Sequence, residues 1–365
     1  MTAQPQGTGF KDLVDPSLWK DYDTYVKEAD GQLEKDVVAS LEIRKKLREE
    51  LLQDPEFKNK IRPKKEERKK WEETCAWAEQ ELYGGNVAAV DGTIANFPMI
   101  SGKRCRIGIV ATSYKNNRIE KVLYVSERQL VEPSLSAKEH YQNLAKTSTM
   151  SNMLLRALML YGERDLALKR PERWKFVHGE LLPYELRTGL GIYEALPETL
   201  ELGRKLINAK NVISVIEDTK RPTLMAAGTI LNKGEFMDVF SLKDELLTNF
   251  LDGHHAHFNK EDEKYFRDFV EGYCDNIRFG MFKVGQKPYV INAHKEVFDK
   301  AMALVMRDAA SQQIRGFPLL IDYADNICGT TLSGADFQKQ VMFKIANLSP
   351  DSLGFEITAR KTRRK

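Results

Sequence analysis

The chain has 365 residues, a formal net charge of +3, 42% hydrophobic residues and 30% charged residues. That length easily buries a core, as one large domain with an appendage or as two modest ones, and the composition is that of a soluble globular protein. No apolar run reaches membrane-spanning length, and Met1 to Phe10 lacks a signal-peptide core. Cys75, Cys105, Cys274 and Cys328 are dispersed without paired metal spacing, so the expectation is a reduced, cytosolic protein that does not touch a membrane.

In chain order, residues 1–85 form a charged helical lead-in. Asp30 to Leu82 is dominated by Glu, Lys, Arg and Leu, and Leu33, Val37, Val38, Leu41, Ile43, Leu47 and Leu51 give a helical stripe. The next helix carries Trp71, Cys75, Trp77 and Ala78. Such a segment is either packed on the following domain or an arm that contacts a second copy or a partner.

Val87-Ala88-Ala89-Val90 then runs into Asp91-Gly92, a buried strand that delivers a carboxylate to the rim of a sheet. A carboxylate fixed there can ligate a hard cation, whereas Asp-Gly by itself also makes a good turn. Cys105–Ala111 and Lys121–Val125 read as a hairpin across Lys115–Arg118, and roughly Ser136 to Lys169 reads as a long helix ended by Pro171. Trp174–His178 is a fourth strand that stops at Gly179, followed by Glu180-Leu181. Val212–Lys220 is a further strand, Arg278–Val284 and Pro288–Asn292 form a hairpin across Gly285, and a helix near Val297 to Gln313 precedes Gly316–Asp325. Three meandering strands, a helix, a strand, then alternating helix and strand is the order of a ribonuclease-H-like α/β fold: a mixed sheet flanked by helices, here with an N-terminal helical extension.

Over roughly Asn86 to Ala346 this succession resembles the NurA nuclease family, the DNA-end-processing partners of the HerA translocase. The resemblance implies a nuclease domain over 86–350 with an insertion at about 234–271, then a terminal strand and basic tail over 351–365. It implies a metal-dependent deoxyribonuclease acting on DNA in end processing or phage defence, with Mn2+ or Mg2+, as a homodimer beside a HerA-type hexameric ATPase. It also implies a site made of Asp91, Glu163, Glu180 and Asp325 as metal ligands. Where the family has a strand-end aspartate this chain has His178, and where many members have a final histidine it has Asp325. His178 is then a nitrogen ligand or a nearby proton carrier. Glu180 takes over the missing carboxylate if the strand continues far enough for residues 178 and 180 to share a face. Asp165 competes with Glu163 for the helix position, and both stand beside Arg164.

The chemistry explains the residue types. Phosphodiester hydrolysis adds negative charge to an anionic phosphate, and divalent ions stabilise both attacking and leaving oxygens. Carboxylates brought together without a cation repel one another. The alternative is a catalytically inactive adaptor that keeps the fold to bind DNA or the translocase. No Gly-x-x-x-x-Gly-Lys-Ser/Thr loop is present, so ATP hydrolysis would come from a partner. Basic blocks at Lys60–Lys70 and Arg360–Lys365 are either solvated surface or a DNA-backbone contact. His254-His255-Ala256-His257 sits in a polar segment, as a surface loop or a ligand set.

Overall fold

The computed structural model describes residues 21–99, 102–127, 151–189, 195–252 and 258–348, with positions 16, 19, 136 and 139. The histidine cluster and the basic tail lie outside the described residues. Two units are distinguished, Met1–Lys58 and Asn59–Lys365. The first is built on helix α1 (Tyr22–Leu51), whose cap Asp21 accepts a hydrogen bond from the Thr24 N–H at 3.0 Å. Leu33, Val37, Val38, Leu41 and Ile43 of its apolar stripe are exposed. No helix among the described residues is long and apolar enough to cross a membrane.

The second unit carries the sheet. Its strands are β1 (Ile61–Arg62), β2 (Val87–Phe97), β3 (Arg104–Ser113), β4 (Ile119–Ser126), β5 (Trp174–His178), β6 (Val212–Ile216), β7 (Glu235–Ser241), β8 (Ile277–Lys283) and β9 (Pro288–His294). Among the described residues they form one nine-stranded sheet ordered β1-β7-β8-β9-β6-β5-β2-β3-β4. β2, β5 and β6 lie side by side in parallel, and every other neighbouring pair is antiparallel. The run β4-β3-β2-β5-β6 has the expected ribonuclease-H-like order. β5 and β6 are short, almost wholly buried and mostly apolar, as strands covered on both faces must be.

The longer helices are α2 (Arg68–Tyr83), α3 (Asn152–Lys169), α4 (Leu196–Ala209), α5 (Pro222–Ile230), α6 (Lys260–Tyr273), α7 (Phe298–Ala309), α8 (Leu319–Thr331) and α9 (Gly334–Leu348). α2 and α7 pack with α8 in the main core, where Leu82, Met302 and Leu320 meet Val87 and Ala89 of β2. Trp71, Cys75 and Trp77 join that core, so this part of the lead-in is packed structure and the second unit begins at Asn59. Arg62 of the basic block is engaged by Asp299 at 2.5 Å and Glu67 at 3.2 Å. The segment read as an insertion contributes β7, a full member of the sheet.

α3 and α8 cover opposite faces, as alternation along β3 shows. Val110 packs with Ile327, Cys328 and Leu332 at α8, whereas a side chain placed on Gly162 of α3 would strike Ile109.

Two local readings are corrected. β2 does not end at Asp91-Gly92; it continues to Phe97 because β3 pairs with it in unbroken register from Ala88 to Phe97. What stops at Asp91 is the neighbour, since β5 pairs with β2 only as far as Val90↔Val177. β6 likewise ends at Ile216 rather than running to Lys220.

Candidate active site

Where β5 stops, one edge of β2 is left without a strand partner, and side chains from both faces of the sheet reach the same point. Asp91 sits there, 5% exposed, held in β2. Val90 pairs with Val177, so His178 at the end of β5 lies beside Asp91, and its Nδ1 is 3.4 Å from Asp91 Oδ1.

Glu163 comes from α3. Ser151 starts that helix by accepting the Leu154 N–H at 3.0 Å, and Glu163 is 1% exposed. Gly92 makes its approach possible. A Cβ there would stand 2.5 Å from Glu163 Oε1 and 2.7 Å from Met159 Cγ. The glycine is needed for close passage of an acid rather than for a turn. Residues two apart on a helix point about 200° apart. Asp165 therefore faces away, into an ion pair with Lys169 at 2.6 Å.

Asp325 comes from α8, on the other face. One turn further along, the buried Cys328 Sγ donates to the Asp91 carbonyl at 3.3 Å, which docks the helix and brings Asp325 within hydrogen-bonding reach of the Asp91 carboxylate. Phe317, two residues before α8, sets its ring edge-on to His178 at 5.7 Å.

The charges respond to this crowding. Burial raises Glu163 to about 7; the Arg164 guanidinium pulls it down and Asp91 pushes it up. Asp325 is raised by burial and then by Asp91. For His178 burial is the largest influence and lowers it, but the hydrogen bond to Asp91 and the charges of Asp91, Glu163 and Glu217 outweigh that, leaving the imidazole raised.

Arg164, wholly buried, bonds the Glu163 carboxylate through Nη1 and donates through Nη2 to the carbonyls of His178, at 3.0 Å, and Glu180, at 2.5 Å. It thereby clamps α3 to the end of β5.

Four of the five expected residues thus converge: Asp91, Glu163, His178 and Asp325. The structure does not bring Glu180 to them. The strand ends at His178 and Gly179 has φ +79°, so residues 178 and 180 do not share a strand face. The Glu180 carboxylate is held instead by Arg187 at 2.6 Å and Arg221 at 2.7 Å.

Gly92, Arg164, Cys328 and Glu217 were not read as part of the site. Glu217 follows the end of β6 and ion-pairs with Arg315 at 2.8 Å. An acid directly after a run of buried apolar residues, as at Asp91, is the available signal.

Among the described residues no group of three or more His, Cys, Asp or Glu side chains is placed to hold a metal ion. The chemistry of the donors still suits one: three carboxylates and one imidazole, with burial and then the Asp91 charge making Glu163 and Asp325 hold protons more tightly.

Strand order and the position of this cluster define a ribonuclease-H-like α/β protein with an acidic centre at the end of its parallel strands. No protein-family model and no curated protein matches the chain. Among solved structures it is similar to the NurA nuclease from Sulfolobus solfataricus, with 13% identity, 77% of this chain and 95% of that chain covered, and a TM-score of 0.44. It is also similar to NurA bound to dAMP and manganese, with 10% identity, coverage of 66% and 83%, and a TM-score of 0.41. An endonuclease V from Bacillus subtilis gives 10% identity, coverage of 70% and 82%, and a TM-score of 0.32.

Proposed function

We propose that the protein is a metal-dependent deoxyribonuclease that hydrolyses phosphodiesters at the Asp91 cluster. The observation that carries this reading is that Glu163 and Asp325, from opposite faces of the sheet, both lie close enough to Asp91 for its charge to add to burial in raising their proton affinity. Folding gains nothing from that repulsion, whereas a cation-binding centre needs it.

Asp91, Glu163 and Asp325 would hold Mn2+ or Mg2+, which when bound supplies positive charge to the phosphate and to the attacking water. Asp91 is fixed by the strand and Glu163 by the Arg164 clamp, so both donors are oriented before substrate arrives. His178 engages Asp91 through Nδ1, which leaves Nε2 to exchange a proton with a substrate oxygen. On this reading Glu180 lies outside the ligand set, because its carboxylate is engaged by Arg187 and Arg221. The sequence resemblance adds a homodimer and a HerA-type hexameric ATPase as partners.

One observation favours a second reading. Arg164 already neutralises Glu163, as it would in an inactive adaptor that binds DNA without cutting it. End-labelled DNA incubated with the protein separates the two. Shortening in manganese, none in EDTA, and none by Asp91→Asn with unchanged melting supports the nuclease. DNA bound but never shortened establishes the adaptor.

A further inference from the structure

α8 brings Asp325 to the cluster, and the turn that leads into α8 is pinned to the β8–β9 hairpin. The Gln286 N–H donates to the Ile314 carbonyl at 3.0 Å, and the Tyr289 hydroxyl donates to the Arg315 carbonyl at 2.9 Å. Gly316 closes the turn with φ +72°, and a side chain on it would strike the Gly285 backbone. The backbone of Arg315 therefore has a fixed origin.

From there its guanidinium reaches in two directions. Nη2 donates to Glu217, just past the end of β6, at 2.8 Å, and Nη1 donates to Asp322, in the first turn of α8, at 2.6 Å. A planar fork holds two acids at set angles, which a compact ammonium does not. Its face lies over the Phe317 ring, 4.9 Å from the centroid, and that ring is the one set edge-on to His178. Gln312 adds a second bond to Asp322 at 2.6 Å.

Asp322 and Asp325 stand three residues apart, on one face of α8, so the bridge lies about one turn from the acid that meets Asp91. Stability does not account for it. The Arg315 and Glu217 side chains are 42% and 35% exposed, and exposed ion pairs contribute little to folding. Both ends of the guanidinium are occupied, so contact with a phosphate would cost the bridge. The arrangement mirrors Arg164, which ties α3, on the other face, to the end of β5, the strand paired with β6. Acids from both faces are thereby referred to the same two strand ends.

We propose that Arg315 is a positioning residue: by bridging Glu217 and Asp322 it sets where α8 stands on the sheet, and so where Asp325 meets Asp91 and Phe317 meets His178. The proposal rests on the nuclease reading for the chemistry those groups perform.

The test compares the full chain with Arg315→Gln, Arg315→Lys, Asp322→Asn and the Arg315→Gln/Asp322→Asn double variant. One readout is manganese-dependent cleavage of labelled DNA. The other is the rate at which a maleimide labels Cys328 in EDTA, assigned by mass spectrometry. Cys328 is buried and bonded to the Asp91 carbonyl, so its labelling reports how firmly α8 is seated whether or not DNA is cut; the equally buried Cys105 of β3 is the internal reference. Arg315→Gln and Asp322→Asn should each lower kcat about tenfold while KM for DNA stays within about twofold. Each should label Cys328 about threefold faster and melt within about two degrees of wild type. The double variant should be no worse than either single one, because one bridge is broken once. Arg315→Lys keeps the charge without the fork and should stay impaired. Unchanged kcat, whatever KM does, wild-type behaviour of Arg315→Lys, or Cys328 labelling that no variant alters overturns the proposal. A wild type that cuts no DNA removes the nuclease reading alone, and faster Cys328 labelling then still sustains the seating of α8 by Arg315. Should Arg315→Gln fail to fold, Cys328 labelling of Glu217→Gln, which breaks the bridge at its far end, decides.

Discussion

Gly92→Ala isolates the geometry on which the site depends. The added methyl would lie 2.5 Å from Glu163 Oε1 and 2.7 Å from Met159 Cγ, against ordinary contacts beyond 3.4 Å. Gly92 is paired strand residue with no positive φ, so alanine costs no backbone strain and acts through this clash alone. Met159 is half-buried and can give way; Glu163 is buried and held by Arg164, so its carboxylate must move by roughly 1 Å. Overpacking of this kind costs about 1–3 kcal/mol, a fall of several degrees in melting temperature. Misplacing a catalytic group by that distance costs about 100-fold in rate. The assay is manganese-dependent cleavage of labelled DNA alongside a thermal melt. A folded Gly92→Ala variant that cleaves at the wild-type rate would refute the placement of Glu163 in the site.

Glu180→Gln removes the anion between Arg187 and Arg221 and should lower stability by about 1–3 kcal/mol while folded protein keeps its cleavage rate; Asp325→Asn should show the opposite, normal melting and lost cleavage. Asp308, which accepts hydrogen bonds from Tyr114 and from the Leu320 N–H at 2.9 Å, is raised by burial from 3.8 to about 6. A raised acid favours the fold below its unfolded value and loses that contribution as pH rises through its folded value. Asp308→Asn should therefore gain up to about 3 kcal/mol relative to wild type between pH 4 and pH 7, read from melts at both pH values. Degradation of long linear duplex should rise strongly with a HerA-type ATPase and ATP and stay at the basal level when that ATPase carries a dead Walker lysine, because this chain has no nucleotide-binding loop.

Much of the sheet is legible in residue order because its central strands are short, mostly apolar and bounded by turn residues; the sequence places Trp174–His178 at its observed bounds. Asp91 was found for the same reason, as a charge following four buried residues. The errors have local causes. Asp-Gly favours a turn in isolation, but ten register pairs with β3 outweigh that preference, and the glycine's use shows only when α3 is packed against it. Glu180 looked equivalent to His178 by strand alternation, and the positive φ of Gly179 breaks the alternation. Glu163 and Asp165 could not be separated by spacing because the apolar pattern of α3 does not say which of two neighbouring acids the sheet will cover. Arg164 stays hidden because a buried arginine reads as a surface residue until the carbonyls of His178 and Glu180, at the end of β5, are in place beside the neighbouring Glu163.

The most direct test of the account is a crystal grown in manganese, with the anomalous signal collected at the manganese edge. The account predicts a peak bounded by the carboxylates of Asp91, Glu163 and Asp325, with Glu180 still between Arg187 and Arg221. An ordered crystal with no peak at Asp91, or with manganese bound at Glu180 instead, would contradict it.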